Sequence, residues 1–439
     1  MDYRQALELL SQRGNEVRSI HLGLHRIRAL AQALGNPQTK CAVLHVAGTN
    51  GKGSVAAMSE AILRAAGYKT GLYTSPHLER VQERIRVSGR DIASRKLAKL
   101  VTGICEQEEE LCAHRRLDRR LTYFEFLTAC AFQHFADERV DVAVVEVGLG
   151  GRLDATNIVI PQACIITGIA LDHQDLLGTT IAEIAAEKAG IIKAGVPVIS
   201  ACRSPEAQRI IRGRARRLGA PLTEIDRDCR TRVVGEAGGC MIIELKTPGH
   251  FYRRLPLALA GLHQARNAAL AVAGVEELAA FPVSTTDVRR GLARTRWPGR
   301  LETFHAQRRT LLEGAHNVEG ARALRNHLMR WEACDIHMVF GALGDKDIQR
   351  MGALLFPLAR SIHLTPVANS RTARPVDIAA LHPRMRMRMR VHANAPAALR
   401  AAWHECPRQG LVVVTGSLYL LGELLPILRA ERQAGGRIR

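Results

Sequence analysis

Aromatic side chains are scarce in this chain: Phe, Trp and Tyr make up 4% of its 439 residues. A core with so few rings must be filled by aliphatic groups, which suits alternating helix and strand layers better than an aromatic-rich sandwich. Ten cysteines occur, but none forms a C-x-x-C pair or a zinc-type spacing. Cys41 and Cys164 lie in apolar, strand-like runs, where a free thiol behaves as a small hydrophobe. A reducing cytoplasm is therefore expected. The opening MDYRQALELL lacks the charged-then-apolar order of a signal peptide. The most apolar tail, LVVVTGSLYLLGELLPIL, is interrupted by Thr, Gly, Ser, Glu and Pro, so no membrane span is expected. Acidic residues are outnumbered, 42 against 62 Lys and Arg, for a net charge of +20. That excess is dispersed and not interleaved with stacking aromatics, which argues against a nucleic-acid partner and agrees with anionic small molecules.

The length calls for two domains. Short apolar runs (CAVLHVA, DVAVVEV, ACIITGI and VPVIS) alternate with helical patterns, the mark of parallel strands joined by crossover helices. A helix is predicted over 54–66, with Val55, Met58, Ile62 and Ala65 on one stripe and Gly67 as its left-handed cap. Residues 223–258 break the rhythm and read as an antiparallel excursion at the edge of the sheet. RTRWPGRLE (294–302) is the candidate linker, giving domains 1–297 and 298–439. Beyond it the rhythm restarts with RTLLEGAHN, IHMVFGAL, SIHLTPV and LVVVTGSL. The alternating run Arg384–Arg390 is expected to be an edge strand with methionines facing a core and arginines facing out.

Residues 45–54, HVAGTNGKGS, join an apolar run to the predicted helix. Gly48, Gly51 and Gly53 would let backbone approach phosphate oxygens at the N-terminus of that helix, within reach of Lys52. In the Walker pattern G-x-x-x-x-G-K-[ST] the first glycine and the hydroxyl would fall at 46 and 53. Val46 and Gly53 stand there instead, and Ser54 comes one residue late. Other groups must then hold the metal. Ser75, Glu146 and His173 each sit at the C-terminal end of a predicted strand, where an open parallel sheet places its ligand crevice. Each alone has a plainer reading: a helix-capping Ser, a strand-end Glu, a satisfied core His. His173 is the least expected ligand for magnesium, which prefers oxygen.

GTNGKGS, TSPHL, LTYFEF, VEVGLGGRLDATN, LDH, EKAGI, WPGRLE and GAHN occur in order between about residues 17 and 425. Together they resemble the folylpolyglutamate synthase/dihydrofolate synthase family of the ATP-dependent Mur ligase superfamily. The resemblance implies an α/β protein: a P-loop-type parallel-sheet ATPase domain followed by a smaller Rossmann-like α/β domain. It implies that Thr49, Asn50, Gly51, Lys52, Gly53 and Ser54 bind ATP, that Ser75, Glu146 and His173 hold magnesium, and that a carbamylated Lys188 serves a second magnesium ion. The plainer reading of Lys188 is a solvated helix lysine. Asn267 and Arg300 would touch the nucleotide from the far side, coupling it to domain closure. Ser19, Ile20 and His21, with Thr122, Tyr123, Phe124, Glu125, Leu153, Asp154 and Ala155, would line a pterin pocket. His316 and Ser417, near Asp345 and Lys346, would hold glutamate, although a helix-capping serine explains Ser417 equally well.

The implied chemistry is amide formation through an acyl phosphate. Lys52 and magnesium would neutralise the γ-phosphate under attack by a pteroate or folate carboxylate, and the α-amine of glutamate would then displace phosphate. Two residues depart from the family pattern. Glu313 stands where an Asp that contacts the nucleotide is usual, its charge displaced by about 1.5 Å, and His21 replaces an acidic residue common in enzymes that accept dihydropteroate. A bifunctional, monomeric ligase working on dihydropteroate, folate, glutamate and ATP is expected. The alternatives are a monofunctional folylpolyglutamate synthase, a relative with another acceptor, and a nucleotide-binding module that has lost catalysis.

Overall fold

The computed structural model describes residues 1–14, 23–331 and 334–435. The chain folds into two compact units, one of Met1–Ala258 with Gln264–Arg296, the other of Leu259–His263 with the chain from Trp297 onward.

Eight strands form the main sheet of the first unit: β1 (Ala42–Ala47), β2 (Thr70–Tyr73), β3 (Ile85–Val87), β4 (Arg90–Asp91), β5 (Val142–Glu146), β6 (Ala163–Ile166), β7 (Val198–Ser200) and β8 (Leu222–Glu224). Their order is β4-β3-β2-β5-β1-β6-β7-β8, parallel from β2 to β8, with β3 and β4 added antiparallel at one edge. Every residue of β2, β5 and β6 is buried, as strands covered on both faces require. Val43, Val145, Phe126, Phe132 and Ile104 belong to one helix-covered core, and Ala47, Cys164, Ile166 and Ile192 to another.

The excursion at 223–258 does not extend this sheet. β9 (Arg230–Ala237), β10 (Cys240–Lys246) and β11 (Phe251–Leu257) make a separate antiparallel sheet in the order β11-β10-β9. The central strand spends both its edges on its neighbours, and β11 packs on the helix Thr285–Arg294. The excursion is antiparallel as expected, but it pairs within itself instead of joining the edge of the main sheet.

In the second unit, β12 (Glu302–His305), β13 (Arg309–Glu313), β14 (Ile336–Phe340), β15 (Ser361–Leu364), β16 (Met389–Val391) and β17 (Leu411–Thr415) form a sheet in the order β12-β13-β17-β14-β15-β16. All pairs are parallel except β12 with β13. The Arg/Met run departs from expectation. Only Met389–Val391 is strand, although at the sheet edge as predicted, and Pro383–Arg388 is a 3-10 helix. Pro383 sets the helical start, and in that conformation Met385 and Met389 pack on the core while Met387 is 92% exposed. The alternation was a coincidence of composition.

Candidate active site

β1 delivers the chain into the phosphate-type loop at Gly48, whose φ is +145° and whose missing Cβ leaves room for the Thr167 hydroxyl. Gly51 precedes the helix Lys52–Ala65 at φ +85°, and a Cβ there would stand 2.8 Å from Asn267 Oδ1. The loop is fastened to the segment after β6. Thr49 N–H donates to Gly168 O at 2.7 Å, Ala170 N–H to Thr49 Oγ1 at 3.1 Å, and the Thr167 hydroxyl to Asn50 O at 2.6 Å. Lys52 Nζ donates to Thr49 O at 3.2 Å, folded over its own loop. Gly53 lies in the first helical turn. Ser54 is buried, and its hydroxyl accepts from Gln264 Nε2 at 3.4 Å. Gln264 Oε1 in turn accepts from Asn267 Nδ2 at 2.9 Å. The late serine thus ties the helix to a neighbour, and Asn267 is the residue set against the loop.

β2, β5, β1 and β6 are consecutive in the sheet. Ser75 lies just past β2, Glu146 ends β5, the loop leaves β1, and His173 follows β6, so the three candidate ligands lie, with the loop, beyond the C-terminal ends of these strands. Ser75 N–H donates to Glu146 Oε2 at 3.2 Å, and Glu146 is 3% exposed. His173 takes φ +50° with its N–H on Asp172 Oδ1 at 3.0 Å. A buried carboxylate with a hydroxyl residue held against it suits a hard cation, and the His173 imidazole would add a softer third donor. The residues present therefore fit magnesium. Lys188 is not a solvated lysine: it is 4% exposed and its Nζ donates to Gly48 O at 2.9 Å. Burial, helped by the positive charge of Lys52, pulls its pKa down to about 7.

Of the residues assigned to a pterin pocket, Ser19, Ile20 and His21 lie outside the described residues. Thr122 caps the helix Tyr123–Asp137 and shares a capping box with Glu125. Glu125 is buried in an ion pair with Arg26 at 3.0 Å, which leaves Tyr123 and Phe124 as the half-buried aromatic pair. Arg84 sits 5.5 Å over the Tyr123 ring, and Gly148 makes room for the ring of Phe124. Asp154 is committed locally: it accepts from Leu149 N at 2.9 Å and from both N–H and hydroxyl of Thr156, and burial pushes its pKa up. Leu153 and the buried Ala155 flank it. Asp154 thereby shapes the loop that stands beside Phe124.

In the second unit Glu313 closes β13, buried, with Oε2 accepting from Leu301 N–H at 2.9 Å. Leu301 has φ +46°, and Glu313 holds that turn in place. Burial pushes the Glu313 pKa up against the pull of Arg300. The Arg300 guanidinium lies where a Cβ on Gly314 would be, so the glycine of GAHN is required by the arginine. His316 Nδ1 is 2.8 Å from Gly314 O, and Asn317 caps the next helix through Gly320 N–H at 2.9 Å. The Ser417 hydroxyl accepts from Tyr419 N–H at 3.2 Å at the start of the last helix, the capping geometry weighed against a glutamate contact. Asp345 pairs with Arg371 at 3.3 Å and lies 3.7 Å from Lys346 Nζ.

Sequence reasoning missed Thr167, Gln264 and the local work of Asp154. Thr167 has no motif around it, and only the sheet order shows that the end of β6 abuts the loop of β1. Asp172 stood in view inside LDH, and its charge is one that favours the protonated form of Lys188.

Residues 46–275 match the Mur ligase middle domain and residues 299–418 the Mur ligase glutamate ligase domain. The dihydrofolate synthase/folylpolyglutamate synthase of Bacillus subtilis is 36% identical over 424 residues, covering 92% of this chain and 94% of the relative. Among solved structures, the folylpolyglutamate synthase of Mycobacterium tuberculosis complexed with ADP superposes with a TM-score of 0.90 at 33% identity, covering 97% of this chain and 98% of that one. Escherichia coli FolC in complex with DHPP and ADP does so at 0.87 and 32% identity, over 97% and 98% of the two chains. By sequence and fold, the chain belongs to the dihydrofolate synthase/folylpolyglutamate synthase family of Mur ligases.

Proposed function

We propose that this ATP-dependent ligase joins L-glutamate to dihydropteroate and to the γ-glutamyl chains of folates. The observation that carries the reading is the placement of Lys52, Glu146, Ser75 and the buried Lys188 at the C-terminal ends of adjacent parallel strands, beside a glycine loop. Magnesium held there by Ser75, Glu146 and His173 would supply charge neutralisation to the phosphates of ATP. Lys52 reaches the same phosphates from the loop, and the backbone N–H groups of Gly51 to Ser54 face them at the helix N-terminus. The acceptor carboxylate then attacks the γ-phosphorus in line, ADP leaves, and the α-amine of glutamate attacks the acyl phosphate and expels phosphate.

A lysine whose pKa lies near 7 keeps an appreciable neutral fraction at physiological pH. Its free amine can add carbon dioxide, releasing one proton and leaving a carbamate, an anionic donor beside the phosphate loop for a second magnesium ion. Tyr123 and Phe124 offer ring faces to the pterin, held by the capping box of Thr122 and Glu125 and by Asp154. Asn267 and Arg300 would contact the nucleotide, and His316 and Ser417 the glutamate. The reading extends to a monomer in the cytoplasm acting on these small molecules without nucleic acid; among the described residues no helix is long and apolar enough to cross a membrane.

The test is ADP release from ATP with dihydropteroate or folate, with and without glutamate, followed by product mass. Glutamate-dependent turnover with a product one glutamyl residue heavier is expected with both acceptors. Turnover with folate alone reduces the function to polyglutamylation, and none with either overturns the proposal. Lys52→Ala and Glu146→Ala are each expected to abolish turnover with the circular dichroism unchanged.

A further inference from the structure

In the second unit, His337 near the start of β14 pairs in register with Ser361, the first residue of β15. His363 lies two residues further along β15, so all three side chains share one face of the sheet. The helix Ala395–Glu405 packs on β14 and β15 and ends in Glu405. The Ser361 hydroxyl touches His337 Nδ1 at 2.8 Å and His363 Nε2 at 2.9 Å. Glu405 Oε2 stands 3.6 Å from His363 Nε2, while Arg390 Nε donates to its other oxygen at 2.6 Å. One donor atom from each of His337, His363 and Glu405 falls within 4.8 Å of the others. The two histidines are 3% and 0% exposed, and the Glu405 side chain, at 27%, opens the cluster to solvent.

We propose that His337, His363 and Glu405 form a binding site for a transition-metal ion of the zinc class. Two imidazoles and a carboxylate are a donor set that favours zinc over magnesium. Tetrahedral bonds of about 2.0–2.1 Å place donors about 3.3 Å apart, so the widest pair closes by about 1.5 Å at most. The Ser361 hydroxyl, already against both imidazoles, takes the fourth position. The surroundings are prepared for this. His363 Nδ1 is 3.0 Å from His392 Nε2, a contact that orients the ring with Nε2 towards Ser361 and Glu405. His337 Nε2 is buried with no hydrogen-bond partner among the described residues, and Nδ1 would exchange its contact with the Ser361 hydroxyl for the ion. Burial lowers the pKa of His337 and brings that of His363 to about 4, so neither ring needs to lose a proton near neutrality. Burial opposes ionisation of Glu405, but Arg390, Ser361 and His363 hold its pKa below the ordinary carboxylate value. None of the ten cysteines belongs to the cluster.

The full chain, stripped with a chelator and returned to excess magnesium, is titrated with Zn²⁺ against a chromophoric chelator, and separately with Co²⁺ followed by its visible ligand-field bands. One equivalent of Zn²⁺ and tetrahedral-type Co²⁺ bands are expected. Glu405→Gln, which changes a part-exposed side chain, is expected to weaken binding by about tenfold or more, and His363→Gln to remove the bands, with circular dichroism confirming that both variants fold. Absence of stoichiometric binding overturns the proposal. So does binding that survives both substitutions but is lost in Glu146→Ala or on thiol blocking, since the ion then sits on the other strand-end cluster or on cysteine.

Discussion

A lysine sealed from water is costly for as long as it carries its proton. Lys188 meets that cost below about pH 7, where its amine is charged in both the folded and the unfolded chain. As the pH rises from about 7 towards the ordinary value of 10.5, the folded protein has released a proton that the unfolded chain still holds, and stability climbs. Lys188→Met is therefore expected to stabilise the protein more at about pH 6 than at about pH 9. Urea midpoints at the two pH values measure the difference, and equal shifts would show that the amine is not neutralised by folding. This behaviour was not legible in EKAGI, because depth is a property of the packed sheet and not of the neighbouring residues. Glu313 teaches the reverse. Its departure from the family's Asp was plain in the sequence, but its bond to Leu301 N–H was not, since twelve residues of chain separate the partners.

At the scale of elements, the loop after β1 depends on backbone that only glycine adopts without strain. Gly48 combines φ +145° with the Thr167 hydroxyl in the place of a Cβ. Gly48→Ala must either displace Thr167, which holds Asn50 O, or refold the loop that Lys188 also holds. Nucleotide affinity is expected to fall about tenfold or more, an effect of about 1.4 kcal/mol, read by calorimetric titration of ADP while the circular dichroism stays unchanged. Affinity within twofold would mean that the loop is not held in this shape. The strands themselves were legible because fully buried parallel strands leave unbroken apolar runs, as in DVAVVEV and ACIITGI. The Arg/Met run misled because strict alternation carries no information about length, and Pro383 at its head favoured a helical turn over a strand. The antiparallel excursion was recognised by its turns, but which sheet a strand joins depends on distant partners that periodicity does not encode.

For the whole molecule, two units with separate cores divide the work of stability, and ligands act on the unit that binds them. Magnesium–ADP at about a hundred times its dissociation constant adds about 2.7 kcal/mol to the folded state. A rise in melting temperature of about 5 °C or more is expected on its addition. Lys52→Ala is expected to remove that rise, and a rise that persists in the variant would place the nucleotide elsewhere. The family was legible from the sequence because GTNGKGS, TSPHL, LDH, EKAGI and GAHN stand in a fixed order along the chain. The histidine cluster was not, because His337, His363 and Glu405 are dispersed over two strands and a helix. The order β2-β5-β1-β6 carries one more consequence. Neighbouring strands are about 4.8 Å apart, so three steps of the sheet span about 14 Å from β2 to β6, and the segment after β6 crosses back to the β1 loop through Thr49. That ruler is set by peptide hydrogen bonds and is indifferent to the length of the crossovers, so insertions in the connecting helices can accumulate without moving one strand end against another.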